Sequence, residues 1–128
     1  YYMNEISAAI GIKQLEKLEK MNSIRRKIAK RYSEEIDVEW KMPFSNECSY
    51  HLYWICVKNR KELRDRLYKK GIQTGTHYKP IHLMSMYKQN QKLSISEKVG
   101  KQIVTLPIHP NLRNKDIDKI IRLVNRFL

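Results

Sequence analysis

Two cysteines, four glycines and four prolines in 128 residues leave several architectures without material. Cys48 and Cys56 are too few for a disulfide framework and fit a reducing compartment. The glycines form neither a Gly-x-Gly-x-x-Gly run nor a phosphate loop, which excludes the glycine-cradled nucleotide sites. No Cys-x-x-Cys or His-Glu-x-x-His is present, and His77 and His82, separated by a loop containing Pro80, lack the tight spacing of zinc ligands. No apolar run approaches the ~20 residues of a membrane span. A basic-then-apolar leader is also missing from this stretch. These absences set the expectation of one soluble, cytoplasmic domain with no metal site and no membrane partner.

What is present supports a packed core. Hydrophobic residues make up 41% and aromatics 9%, enough to argue against disorder despite a net charge of +13 from 26 Lys+Arg against 13 Asp+Glu. The basic residues are spread over every predicted helix, among them Arg25, Arg26, Lys30, Arg64, Lys69, Lys119 and Arg126, and many neighbour acids. A groove-binding face would concentrate them, so solvated helix surfaces are the better reading and nucleic acid is not the expected partner.

Asn4 is placed to cap a helix whose apolar residues, Ile6, Ala9, Ile10, Leu15, Leu18, Met21, Ile24, Ile28, Tyr32 and Ile36, follow mostly at steps of three and four. Unbroken, it would be about 48 Å long, more than so small a domain can cover. Part of its stripe is therefore expected to lie on something else, and the step of five around Gly11 leaves room for a kink. Residues 50–57 read as a strand buried on both faces. A capping box at Asn59 and Glu62 opens a second helix that Gly71 ends. A short strand over 72–76, interrupted by Gly75, leads to a loop over 77–82. Ser94 and Glu97 predict a third helix through Val99, followed by a brief strand at 104–106. A last helix runs from about Lys115, capped by Asn114, with Ile117, Ile120, Ile121, Val124 and Phe127 inward. The order predicts an α+β fold, helices against a small sheet.

Candidate chemistry gathers in Thr74-Gly75-Thr76-His77-Tyr78-Lys79-Pro80-Ile81-His82, a strand end running into a polar loop. On this segment alone the simpler reading is that His77 and Tyr78 cover the end of a sheet with satisfied polar tips. Cys56, inside the predicted buried strand, reads as inert packing and not as a nucleophile.

Four stretches resemble a known family. Met3-Asn4-Glu5-Ile6-Ser7-Ala8-Ala9-Ile10-Gly11, with Gln14-Leu15 and Leu18, resembles the helix that opens the small domain of DegT/StrS-type sugar aminotransferases. Ser49-Tyr50-His51-Leu52-Tyr53 is similar to the following strand, Gly71-Ile72-Gln73-Thr74-Gly75-Thr76-His77-Tyr78-Lys79-Pro80-Ile81-His82 to the family's most distinctive stretch, and Leu106-Pro107-Ile108-His109-Pro110 to its late signature. The resemblance implies the C-terminal small domain, over 1–128, of a fold-type I enzyme: a long N-terminal helix plus a short, mostly antiparallel sheet covered by helices. It implies a parent that uses pyridoxal phosphate to move an amino group from glutamate or a similar donor onto a keto-sugar nucleotide. The Schiff-base lysine, the acid facing the pyridine nitrogen and the phosphate cup would belong to a large upstream domain. No cofactor is then expected on this piece, and no catalytic residue in it. By motif position His77 would face the sugar, with Tyr78 beside it, and the working unit would be a homodimer.

The sequence also departs from the pattern. Tyr2 stands where many members carry arginine, the segment before the helix is reduced to Tyr1 and Tyr2, and Lys79 occupies a position that is often proline. No phosphate contact is carried over from that segment. Two other functions are alternatives: a stand-alone basic domain that binds nucleic acid, and a regulatory or scaffolding descendant without the lysine. Four ordered motifs favour the aminotransferase.

Overall fold

A computed structural model describes residues 2–87 and 91–128. Tyr1 lies outside the described residues. The first helix, α1 (Glu5–Glu35), starts where the Asn4 side chain accepts a hydrogen bond from the Ser7 N–H at 2.8 Å, with Glu5 favourably placed in the first turn. It passes through Gly11 as one helix. Only its second half is buried, through Ile28, Ala29 and Tyr32, while Ile6, Ile10, Leu15 and Leu18 stand exposed. Its periodic apolar residues thus split into a covered half and an uncovered half.

The sheet is built from β1 (Tyr53–Cys56) and β2 (Ile103–Leu106), antiparallel, with Tyr53 opposite Leu106 and Cys56 opposite Ile103. Every residue of β2 is buried. Single bridges extend the sheet on both sides, Lys41 to Ile55 and Gly75 to Thr105. β1 is shorter than the predicted 50–57 because Tyr50 has φ 50, which turns the chain before pairing can begin. The buried Tyr50 instead organises the preceding loop: its hydroxyl accepts from the Ser45 N–H at 2.6 Å and its ring stacks on Phe44. The strand predicted over 72–76 is reduced to the Gly75 bridge. Arg64 explains why: its guanidinium donates to the Thr74 carbonyl at 3.1 Å and to Thr74 Oγ1 at 3.2 Å, which draws that residue out of a ladder.

Helix α2 (Arg60–Lys69) ends as predicted. Gly71 adopts φ 76, with its N–H on Tyr68 O at 2.9 Å and the Ile72 N–H on Leu67 O at 3.0 Å, the two bonds of a Schellman cap. Its start differs from the prediction, since Asn59 makes no side-chain cap and Glu62 pairs with Arg66 one turn on. Helix α3 (Ser94–Gln102) extends beyond Val99, and Leu93 takes the cap position with its N–H donating to Glu97 at 3.1 Å. Helix α4 (Asn114–Phe127) is capped by Arg113 and not Asn114, because Asp116 accepts from the Arg113 N–H at 3.2 Å. Its inward face is the predicted one, enlarged by Leu123, with Phe127 half-buried.

α4 packs on α1 and α2, and α2 on β2, so helices cover the mostly antiparallel sheet as expected for an α+β fold. Each fully buried Ile or Leu contributes about 1.5–3 kcal/mol from burial. α3 buries no residue; Glu97 pairs with His82, Arg60 donates to the Gly100 carbonyl, and Gly100 lies close against Pro80. No helix of the described residues is long and apolar enough to cross a membrane.

Candidate functional site

The polar stretch 74–82 is divided among different elements. Thr74 goes to Arg64 of α2. Gly75 pairs with Thr105 of β2 through two backbone bonds of 3.0 and 2.9 Å. Two residues on, the chain folds back so that His77 Nδ1 shares a 2.7 Å hydrogen bond with Oγ1 of the same Thr105. This close approach requires glycine, since a Cβ at Gly75 would collide with the His77 ring and stand 2.7 Å from Thr105 Oγ1. Thr105 itself is only 4% exposed, so the imidazole is anchored to the sheet interior while its body faces outward.

Tyr78 follows through a cis peptide and sets its ring edge-on to that of His77, with centroids 4.9 Å apart and 76° between planes. It is 64% exposed, and Lys79 is exposed beside it. His82 goes elsewhere. It sits buried in a 3₁₀ turn (Ile81–Leu83), with Nε2 3.3 Å from Glu97 Oε1. The Leu93 N–H, and after it His82, hold the Glu97 carboxyl below the usual carboxylate range. His82 and Glu97 thereby fasten α3 to the loop, away from His77.

Two clefts meet at His77. The larger, about 630 Å³, runs between the 71–75 segment and α4, with Thr105, His109, Asp116 and Lys119 among its walls. The smaller, about 260 Å³, is bounded by Arg25, His51, Leu52 and His109. In the sequence His51 and His109 stand inside two of the family-like stretches with no signal of a role of their own. They lie 26 and 32 residues from His77 (77 − 51 and 109 − 77), a separation that no spacing rule connects. Cys56 is buried as expected, which pushes its thiol pKa up. Many basic side chains are matched by acids: Arg31 with Glu35 and Asp118, Lys61 with Asp65, Arg66 with Glu62, and Arg113 with Asp116.

A sequence profile of the DegT/DnrJ/EryC1/StrS aminotransferase family matches residues 1–125. The chain belongs to this family. It is similar to GDP-perosamine synthase of Escherichia coli O157:H7, with 34% identity over 99% of this chain and 37% of that protein. Among solved structures it is similar to the aminotransferase TlmJ of Streptoalloteichus hindustanus, with 30% identity and a TM-score of 0.88 over 97% of this chain and 36% of the other. It is also similar to Helicobacter pylori PseC, an aminotransferase involved in the biosynthesis of pseudoaminic acid, with 28% identity and a TM-score of 0.86 over 99% and 38%. The chain thus spans little more than a third of the relatives it matches.

Aminotransferases of the DegT/DnrJ/EryC1/StrS family use pyridoxal phosphate. The described residues that line the two clefts at His77 do not fit that group. Lys119, the lysine lining the larger cleft, is exposed on the surface of α4, and the nearby acid Asp116 is occupied by Arg113. Neither cleft at His77 joins an enclosed lysine to an unpaired acid among the described residues.

Proposed function

We propose that residues 1–128 form the C-terminal, substrate-side domain of an aminotransferase that moves an amino group from an amino acid such as glutamate to a keto-sugar nucleotide. The pyridoxal phosphate and its lysine belong, in this reading, to a large domain outside these residues, and the chain alone is inactive. The E. coli relative is by name a synthase of a sugar nucleotide, and the same acceptor class is assigned here. His77 and Tyr78 place the sugar. A homodimer partner and the large domain cover the exposed half of α1, and the enzyme works in the cytoplasm.

The observation that carries the reading is the mounting of His77 on Thr105 inside a chain that matches the family almost end to end. With Nδ1 held by Thr105, the second ring nitrogen is the one available to meet a sugar oxygen, and the adjacent Tyr78 offers an aromatic edge and a hydroxyl. These groups bind and orient the acceptor. The test is His77→Ala in the full-length enzyme, read as kcat/KM for the amino acceptor. A fall is expected, and an unchanged value would retire the role.

A further inference from the structure

The smaller groove beside His77 collects side chains from four distant parts of the chain: Arg25 on α1, His51 ahead of β1, His77 after the Gly75 bridge, and His109 beyond β2. None of the described residues lining it is acidic. Arg25 is half-buried, and Nη1 donates to Asn22 Oδ1 at 3.2 Å, so several of its five N–H groups remain for another acceptor. Unlike Arg26, Arg31, Arg66 and Arg113, it forms no ion pair among the described residues. His51 and His109 each supply an N–H when neutral and two when protonated, while Nδ1 of His77 is taken by Thr105. A guanidinium and two imidazoles around a shallow groove make a set of donors with one permanent positive charge, and such a set selects an oxyanion.

We propose that Arg25, His51 and His109, beside His77, form an oxyanion subsite that holds a phosphate or carboxylate group of a substrate. This rests on the reading of the chain as the substrate side of an aminotransferase, and it assigns the groove to one end of a bound substrate. The two sources of the group are the diphosphate of the acceptor and the carboxylate of the amino donor.

The experiment measures binding of inorganic pyrophosphate and, separately, of glutarate to the full-length protein by titration calorimetry. Wild type is compared with Arg25→Gln, His109→Gln and His51→Gln, the last two at exposed side chains, with Arg25→Lys as the conservative variant. One of the two probes should bind wild type, weaken at least tenfold in the Gln variants, and recover in part with lysine. A response to pyrophosphate assigns the groove to the diphosphate, and a response to glutarate assigns it to the donor carboxylate. Absence of binding by both probes, or affinities the substitutions leave alone, would overturn the subsite. Because binding is read without turnover, a protein that binds the probe but transfers no amino group would sink the functional reading and leave the subsite standing.

Discussion

His77 and Thr105, 28 positions apart, are joined by a 2.7 Å hydrogen bond that carries an exposed imidazole on a buried hydroxyl of β2. Removing the hydroxyl while keeping the side-chain shape separates anchoring from packing. Thr105→Val is therefore expected to cost only about 1 kcal/mol of stability. Freed of its anchor, the ring no longer holds one position, and kcat/KM for the acceptor in the full-length enzyme should fall roughly tenfold to a hundredfold. Thr105→Ser, which restores the hydroxyl, should recover most of it. Equal activity in the Val and Ser variants would show that the bond has no part in placing the sugar.

Gly75 gives a second route to the same ring. Its φ is not the constraint; the space is, because an added methyl meets the His77 imidazole and Thr105 Oγ1. Gly75→Ala should displace the imidazole while leaving the distant helices folded. The expected result is a loss of kcat/KM similar to that of Thr105→Val, and combining the two should add little, since both act on one contact. Fully additive losses in the double variant would mean that they act through separate groups.

The helical framework was legible because its signals are local. Asn4 caps α1, Gly71 closes α2 and the apolar spacing of α4 marks the face that is buried. The sheet was less legible because its limits are set by long-range competitors. Tyr50 turns the chain to satisfy its own loop, and Arg64 draws Thr74 away from the ladder. Cap positions slipped for a related reason: Glu62 pairs with the Arg66 guanidinium, and Asp116 accepts from both the backbone and the guanidinium of Arg113. His77 and Tyr78 could be named from one polar stretch and the resemblance it carried. The gathering of Arg25, His51 and His109 beside His77 is a property of the folded chain alone.

Alkaline pH should find the core through its tyrosines. Tyr32 is fully buried and donates to the Pro107 carbonyl at 2.8 Å, and burial pushes its phenol well above the ordinary value. Burial also pushes Tyr53 up to about 12 from an ordinary value of 10. A folded-state pKa raised in this way leaves stability intact below the unfolded pKa and erodes it as pH climbs from there toward the folded value. The urea midpoint should therefore be flat up to about pH 10 and drop between about pH 10 and 12. Tyr32→Phe should lower neutral-pH stability by about 1 kcal/mol through the lost hydrogen bond, yet make the alkaline drop shallower. A midpoint that starts to fall well below pH 9 would point to groups other than these two phenols.

The exposed half of α1 tests the domain assignment. Ile6, Ile10, Leu15 and Leu18 lie uncovered on a helix whose other half is packed against the core. Within this chain Leu15 is exposed and a carboxylate there lies one turn from Glu19, so Leu15→Asp should lower its stability by no more than about 1 kcal/mol. In the full-length protein the proposal puts that side chain against the large domain or the dimer partner, where an unpaired carboxylate loses its hydration. Leu15→Asp should there lower the melting temperature, weaken the dimer in sedimentation velocity, or both, while Glu16→Gln on the neighbouring exposed position should do neither. A full-length protein that carries Leu15→Asp with unchanged melting and unchanged assembly would leave the face uncovered in the whole molecule, and the assignment of α1 as a domain or subunit contact would fall.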